Sequence, residues 1–253
     1  MAKSKATAKA GRVDMQDLLK LVNKKAGRSV AHDLTGDNPT SVKEWIPTGS
    51  RWLDSIICKG KIAGIPVGKV TEIAGLESTG KSYMAAQIAA NAQKTGKMVV
   101  YFDSESAIDP MFLERSGCDL ERLMYVQASS VEFVLETIEE LLGATDEQLI
   151  VAMTTPYITP GGKAMHYAYS LRIWLTGRKA KSSFIEDDKG FRIGSEVKVK
   201  LEKSRFGTQG RSCAFRILWG TEQIGIRDEE SWFDAIKGSD SLTSAGAWYT
   251  LTA

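Results

Sequence analysis

The stretch GLESTGKS, residues 75–82, matches the phosphate-binding pattern G-x-x-x-x-G-K-[ST] at every fixed position. The segment before it, 69–75, is typical of a buried strand, and residues 83–96 have the periodicity of a helix. Gly75 and Gly80 permit backbone angles that aim successive N–H groups at one point, and the helix start adds the positive end of its dipole. The sequence therefore predicts a strand–loop–helix unit that binds phosphate. A glycine-rich turn that matches the pattern by chance is the alternative.

The pattern also assigns roles to individual side chains. Lys81 would reach the β- and γ-phosphates of a nucleotide, and the hydroxyl of Ser82 would bind Mg²⁺. The nucleotide-binding residues expected in this region are Gly75, Leu76, Glu77, Ser78, Thr79, Gly80, Lys81, Ser82 and Tyr83.

The composition of the 253-residue chain excludes several classes of protein. The 33 basic and 31 acidic side chains leave a net charge of +2, so any DNA-binding surface must be a local patch. The three cysteines are far apart and there are only two histidines, which argues against a disulfide scaffold or a zinc site. The sequence shows no apolar run of membrane-spanning length and no secretory signal, so a cytoplasmic protein is expected.

Strand-like and helix-like segments alternate through the first part of the core. Strands are expected at 69–75, 97–103 and 122–128, with helices at 83–96, 109–117 and 130–143. This alternation predicts an α/β fold, with a mostly parallel twisted sheet covered by helices on both faces. After a further strand-like segment, residues 170–178, 191–203 and 212–220 read as three successive strands, which predicts an antiparallel extension of the sheet.

The N-terminal region is expected to form a separate part of the chain. Residues 1–12 are rich in Lys and Ala, and Asp14 can cap a helix with Met15, Leu18, Leu19 and Val22 on one face. That face would pack either on its own domain or on a neighbouring subunit. The expected division is a basic tail with an oligomerisation helix at 1–44 and an ATP-binding core at 45–253.

Hydrolysis of ATP would need a base that activates water, and Glu105 is the candidate. It follows the strand at 97–103, and the carboxyl ends of adjacent parallel strands share one crevice. We therefore expect Glu105 beside the phosphate loop. A solvated acid in a loop, as expected for Asp103 and Asp109 nearby, is the alternative.

GLESTGKS followed by YFDSESAIDP (101–110) resembles the RecA family of DNA recombinases, including its phage members. PTGSRWLD, TPGGKAMHYAYSLRIWL and VKVKLEKSRF also resemble segments of that family, in the same order, over roughly residues 45–250. The resemblance implies a P-loop NTPase core that binds ATP between protomers. It also implies helical filaments on single-stranded DNA that pair this strand with homologous duplex.

The resemblance assigns further residues. Glu105 falls where the family keeps its catalytic glutamate, so Glu105 and Lys81 are the catalytic candidates. Asp109 and Phe112 fall where the family contacts adenine, although Phe112 could equally be a core residue. Lys203 and Arg205 fall where the family sends two cations to a neighbour's γ-phosphate, although the residues alone favour two solvated cations.

The resemblance also implies a DNA-binding loop ending at ITPGGKAM (158–165). Gly161 and Gly162 would let the backbone approach phosphates, Lys163 would add charge, and Tyr157 would stack on a base or close the loop. An ordinary Pro-Gly-Gly turn is the alternative.

The chain departs from the family near residue 150. No acidic residue follows QLIVAM (148–153), where a Walker B carboxylate would hold Mg²⁺ through water. The family's first DNA loop, a helix and a further strand are also absent there, and the sequence stops at SAGAWYTLTA inside what resembles continuing core. We therefore expect nucleotide binding to outlast efficient hydrolysis.

The expected function is that of an ATP-dependent DNA recombinase in a bacterial or phage-infected cell, with ATP and Mg²⁺ as cofactors. The expected partners are single- and double-stranded DNA and further copies of the chain, with no membrane. A first alternative is an ATP-binding, hydrolysis-deficient filament subunit or modulator of a full-length recombinase. A second is a P-loop kinase acting on a small molecule. The three late strands and the Lys203/Arg205 pair argue against it, and the sequence shows no arginine-rich lid that would favour it.

Overall fold

The structure is a computed structural model that divides into two units, Met1–Lys43 and Glu44–Ala253. The residues that it describes are 14–35, 41–61, 63–104, 106, 108–145, 148–154, 167–177, 180–207, 209–222, 224–246 and 248–251.

In the first unit, α1 (Met15–Ala26) begins where the sequence predicts. The Asp14 carboxylate accepts a hydrogen bond from the Gln16 N–H at 3.3 Å, and Gly27 ends the helix in the left-handed region. Met15, Leu18 and Val22 are 63%, 46% and 44% exposed, so this apolar face is largely uncovered in the described part of the chain.

The second unit begins with a small antiparallel pair and a short helix, followed by alternating strands and helices. Its elements, in chain order, are β1 (Trp45–Ile46), α2 (Arg51–Ile57), β2 (Ile65–Pro66), β3 (Thr71–Gly75), α3 (Lys81–Lys94), β4 (Met98–Asp103), α4 (Pro110–Arg115), β5 (Leu123–Gln127), α5 (Val131–Ala144) and β6 (Leu149–Thr154). The later elements are β7 (Leu171–Gly177), β8 (Phe184–Glu186), β9 (Arg192–Ser204), β10 (Ser212–Leu218), β11 (Gly225–Arg227), α6 (Asp228–Ile236), β12 (Leu242–Ala245) and β13 (Trp248–Leu251).

The described strands form two main sheets. One is parallel throughout, in the order β5-β4-β6, with Val100 of β4 opposite Met124 of β5 and Val151 of β6. The other has the order β11-β10-β9-β7-β3, with β8 also pairing with β9. Its β3–β7 pair is parallel, and its other pairs are antiparallel. The predicted α/β fold with parallel pairing, helices and an antiparallel extension is therefore confirmed.

Helix α3 joins the two sheets through its packing. Met84, Ile88 and Ala92 belong to the core cluster formed with β7, β9 and β10. Ala86 and Ala89 belong to a second cluster that contains residues of β4 and α4. A third cluster places α5 against the parallel sheet. Helices therefore cover both faces of β5-β4-β6.

The strand before the phosphate loop is less buried than its sequence indicates. All five residues of β3 are only partly buried, whereas β4 is fully buried from Val99 to Asp103. The reason is that β3 pairs with β7 alone among the described strands, so its other edge is uncovered.

Two of the three cysteines are buried. All three are free thiols, and burial raises the pKa of Cys118 to about 11 and that of Cys213 to about 12. No cluster of three metal-ligating side chains occurs among the described residues. Within the same residues, the helices are too short or too polar to cross a membrane.

Candidate nucleotide site

The phosphate-binding pattern forms the turn between β3 and α3. Gly80 occupies the N-cap position of α3 with φ of +89°, and no described side chain caps the helix start. The first N–H groups of an α-helix have no partner within the helix. The start of α3 therefore offers backbone donors and a positive dipole end to an anion.

Two glycines allow this turn to pack closely. A Cβ atom on Gly75 would collide with the backbone oxygen of Leu175, and one on Gly80 would collide with the side chain of Ile217. Gly80 also has the backbone conformation that favours glycine. The pattern's glycines are thus required by contacts with β7 and β10, which the sequence alone does not reveal.

The Lys81 ammonium lies over the loop. It donates hydrogen bonds to the carbonyl oxygens of Gly75 at 3.2 Å and Leu76 at 2.9 Å. The hydroxyl of Thr79 donates to the same Leu76 oxygen at 2.7 Å. A lysine ammonium has three donors, and these two bonds leave one for an anion at the loop.

Two more of the expected nucleotide-binding residues lie together. The rings of Tyr83 on α3 and Phe112 on α4 meet edge to face, with centroids 5.0 Å apart. Phe112 is partly buried against the α3–β4 cluster, and burial raises the pKa of Tyr83. Asp109 caps α4 by accepting a hydrogen bond from the Met111 N–H at 3.2 Å.

The loop after β4 is tied down by Asp103. Glu105 itself lies outside the described residues. The fully buried Asp103 carboxylate accepts hydrogen bonds from the Ile108 N–H at 3.0 Å and the Tyr125 hydroxyl at 3.1 Å. Desolvation and this hydrogen bond raise the pKa of Tyr125. The expectation that Asp103 is solvated was wrong, because its partner Tyr125 lies on the neighbouring strand.

Strands β3 and β4 are not neighbours, contrary to the premise used for Glu105. β6 pairs with β4 on the side opposite β5, and β3 belongs to the other sheet. The register places Thr154, the last residue of β6, opposite Asp103. No carboxylate stands at that position.

The cations expected to act on a neighbouring subunit lie at the end of β9. Lys203 is paired in register with Arg172, and its ammonium lies 4.8 Å from the centroid of the Tyr169 ring. Arg205 follows the strand end, is exposed, and donates to the Tyr167 carbonyl oxygen at 2.8 Å. Tyr157, Gly161, Gly162 and Lys163, expected to bind DNA, lie outside the described residues.

The described residues fit a triphosphate better than they fit its metal. The uncapped helix start, the close-packed glycines and Lys81 together form a cradle for phosphate oxygens. For Mg²⁺, the described part of this site supplies Ser82, in the first turn of α3. The arrangement can hold and orient a nucleotide.

Residues 13–154 match the family model of the RecA N-terminal domain. The chain belongs to the RecA family. It is 28% identical to Protein RecA of Bifidobacterium breve over 288 aligned residues, which include 90% of this chain and 70% of that protein. Protein RecA of Fusobacterium nucleatum is 28% identical over 307 residues, 98% of this chain and 78% of its own. Protein RecA of Thermus aquaticus is 26% identical over 298 residues, 94% of this chain and 84% of its own.

These alignments are longer than the chain itself. The one with the Bifidobacterium breve protein extends over 288 positions, whereas the chain has 253 residues. The relatives therefore carry residues that have no counterpart here.

Proposed function

We propose that the chain is an ATP-dependent DNA recombinase that assembles on single-stranded DNA and pairs it with homologous duplex. Membership of the RecA family supports a role in DNA recombination and repair. The observation that carries the ATP-dependent part is the phosphate cradle between β3 and α3, with the Lys81 ammonium held over its carbonyls. Its substrate would be DNA, and it would act in the cytoplasm of a bacterial or phage-infected cell.

In this proposal the loop 75–82 binds the triphosphate, and each group has one task. The N–H groups at the start of α3 and the Lys81 ammonium hold the phosphate oxygens, while Tyr83, Asp109 and Phe112 form the adenine side of the site. Mg²⁺, held by Ser82, would neutralise charge on the phosphates. Glu105 would orient the attacking water.

Assembly supplies the remaining positive charge. Lys203 and Arg205 would reach the nucleotide of a neighbouring copy, and the exposure of Arg205 supports this role. A head-to-tail contact of this kind builds an open helix rather than a closed dimer. The uncovered apolar face of α1 would pack on a neighbour in the same filament. Tyr157, Gly161, Gly162 and Lys163 would contact the DNA.

A test is the release of phosphate from ATP with and without single-stranded DNA, together with calorimetric measurement of ATP affinity. We expect DNA to stimulate release, and Lys81→Ala to weaken ATP binding roughly 10- to 100-fold through loss of a charge-assisted contact. Lys94→Ala, at the far end of the same helix, is the matched control and should leave the affinity unchanged. If DNA changed neither ATP turnover nor assembly, the proposal would be refuted.

The second candidate function is a filament subunit that binds ATP without hydrolysing it. The position of Thr154 at the end of β6, where a metal-binding carboxylate is expected, favours this alternative. Such a subunit would bind ATP, release no phosphate, and co-sediment with a longer relative such as the Thermus aquaticus RecA protein. A chain that stayed monomeric in ATP with that relative present would exclude it.

A further inference from the structure

A cavity of about 190 Å³ separates the two sheets beside the candidate nucleotide site. The cavity is lined by Thr71 and Ile73 of β3 and by residues 150–153 of β6. From α3 it is lined by Ala85, Ile88 and Ala89, and also by Lys81 and Ser82, so it reaches the candidate nucleotide site. A single water needs only about 10–15 Å³ of such space. The cavity is therefore large enough for a group of many atoms rather than a single water molecule.

The two strands that border this cavity have unused edges. Among the described strands, β3 pairs only with β7 and β6 pairs only with β4. A strand edge presents backbone N–H and C=O groups that need partners, and an uncovered edge is a template for another strand. The Thr71 hydroxyl, which is buried at the cavity wall, also finds no hydrogen-bond partner in the described residues.

The composition of β6 is that of a sheet interior, whereas β3 reads TEIAG and includes the charged Glu72. β6 reads LIVAMT, yet residues 149–153 are all partly exposed, as are all five residues of β3. Ile150 touches the core clusters on both sides of the cavity, so the two cores almost meet there. An apolar strand without alternating polar residues, such as β6, is typical of a position covered on both faces.

The connections favour the same direction for the two edges. A strand–helix–strand connection such as β3–α3–β4 is typical of parallel strands, and β6 is parallel to β4. One extended segment could therefore hydrogen-bond to both edges and join β5-β4-β6 to β3-β7-β9-β10-β11. Since β3 has five residues and β6 has six, that segment would be about as long.

We propose that this cavity, the β3–β6 slot, binds an apolar β-strand supplied by a separate polypeptide. The occupant we infer is part of the segment that longer RecA relatives have and this chain lacks. Two observations support it: the alignments exceed the length of the chain, and the family match ends at residue 154, where β6 ends. The side of the strand facing α3 must be apolar where it meets Ala85, Ile88 and Ala89, and it meets Lys81 and Ser82 only near the start of the helix.

The chain's own sequence after β6 is unsuited to this position. Residues 155–166 read TPYITPGGKAMH, with two prolines and a glycine pair. Proline cannot donate to a strand ladder, and glycine weakens a strand interior. The occupant is therefore assigned to another polypeptide. The assignment rests on the sheet edges and does not depend on ATP chemistry.

The experiment uses the intact chain and fluorescent, overlapping synthetic peptides that cover the residues of the Bifidobacterium breve RecA protein without a counterpart here. We expect one peptide to raise the fluorescence anisotropy saturably. At about 100 times its Kd it should slow amide hydrogen exchange in β3 and β6 by roughly 100-fold, while β12 and β13 are unaffected.

A matched pair of variants tests the location. Ala85→Trp should fill the slot from the helix side and weaken peptide binding by roughly tenfold or more. Ala144→Trp, the same exchange at an exposed helix position, should leave binding unchanged. If Ala85→Trp unfolds, amide hydrogen exchange in the unaltered chain with bound peptide still shows where the peptide binds.

Three results would overturn the proposal. No peptide in the set binds, or the bound peptide protects strands other than β3 and β6. In the third, the chain self-associates without peptide, its β3 and β6 amides are protected from hydrogen exchange, and no peptide competes with this self-association. A second copy of the chain would then be the occupant.

Discussion

At the residue scale, Asp54 is the ionisable group with the clearest consequence for stability. It lies on α2 and is 1% exposed, and its carboxylate accepts hydrogen bonds from the N–H and hydroxyl of Thr48 at 3.1 and 2.7 Å. Burial outweighs these bonds and raises the pKa of Asp54 to about 6. The folded protein thus binds this proton more tightly than the unfolded chain does.

A raised folded-state pKa stabilises the protein at low pH, and that contribution is lost as the pH rises through about 6. Asp54→Asn keeps an oxygen for Thr48 and removes the charge. We expect the variant to gain stability over the natural protein by about 1–3 kcal/mol between pH 4 and pH 7, measured by urea unfolding. The exposed Asp234→Asn is the control. A difference between variant and natural protein that is the same at every pH would contradict this account.

Individual side chains show where sequence reasoning reaches its limit. The loop 75–82 was placed correctly between strand and helix, because its glycines and its flanking periodicity are local signals. The burial of Asp103 depends on Tyr125, which is 22 residues away on another strand. Such a contact leaves no trace in local composition, so the environment of this carboxylate was not predictable.

At the element scale, the turn into α3 depends on the contact between Gly80 and Ile217. A Cβ at position 80 would meet the terminal methyl of Ile217, whereas one at Gly96, with nearly the same φ of +88°, would meet nothing within 4 Å. The two glycines therefore share the same backbone requirement. They differ in the space around them.

We expect Gly96→Ala to cost roughly 1–2 kcal/mol from the left-handed backbone, and Gly80→Ala to cost roughly 1–3 kcal/mol more from overpacking. Ile217→Val removes the obstructing methyl, so Gly80→Ala should cost less in that background. Thermal unfolding of the natural protein, Gly80→Ala, Ile217→Val and the double variant forms a double-mutant cycle that measures this coupling. Gly96→Ala is measured alongside them. Equal costs at positions 80 and 96, or no coupling to Ile217, would refute the contact.

The elements that were predicted correctly are those with strong periodicity. β3, α3, β4, β5 and α5 were expected within a few residues of their observed bounds, as were the three late strands. Helix α2, helix α6 and the β12–β13 hairpin were not anticipated. α2 has seven residues and α6 has nine, so each makes too few turns to show a clear period.

At the scale of the whole molecule, the two main sheets of the second unit both pack against helix α3. The resemblance to RecA proteins indicated a missing strand, and the structure shows the β3–β6 slot, a cavity lined by one strand from each of the two sheets. Pairing between strands distant in sequence was not predictable from local patterns, because it depends on the full order of the sheet. The candidate nucleotide site lies at this slot, since Lys81 and Ser82 line it.

The most direct test of the central claim is sedimentation velocity of the intact chain with Mg²⁺, ATP and single-stranded DNA. The claim is that a triphosphate held by residues 75–82 drives assembly on DNA. We predict large complexes that require both ATP and DNA and that disappear in Lys81→Ala. A chain that sediments as a monomer under all conditions, or a Lys81→Ala variant that assembles like the natural protein, would contradict it.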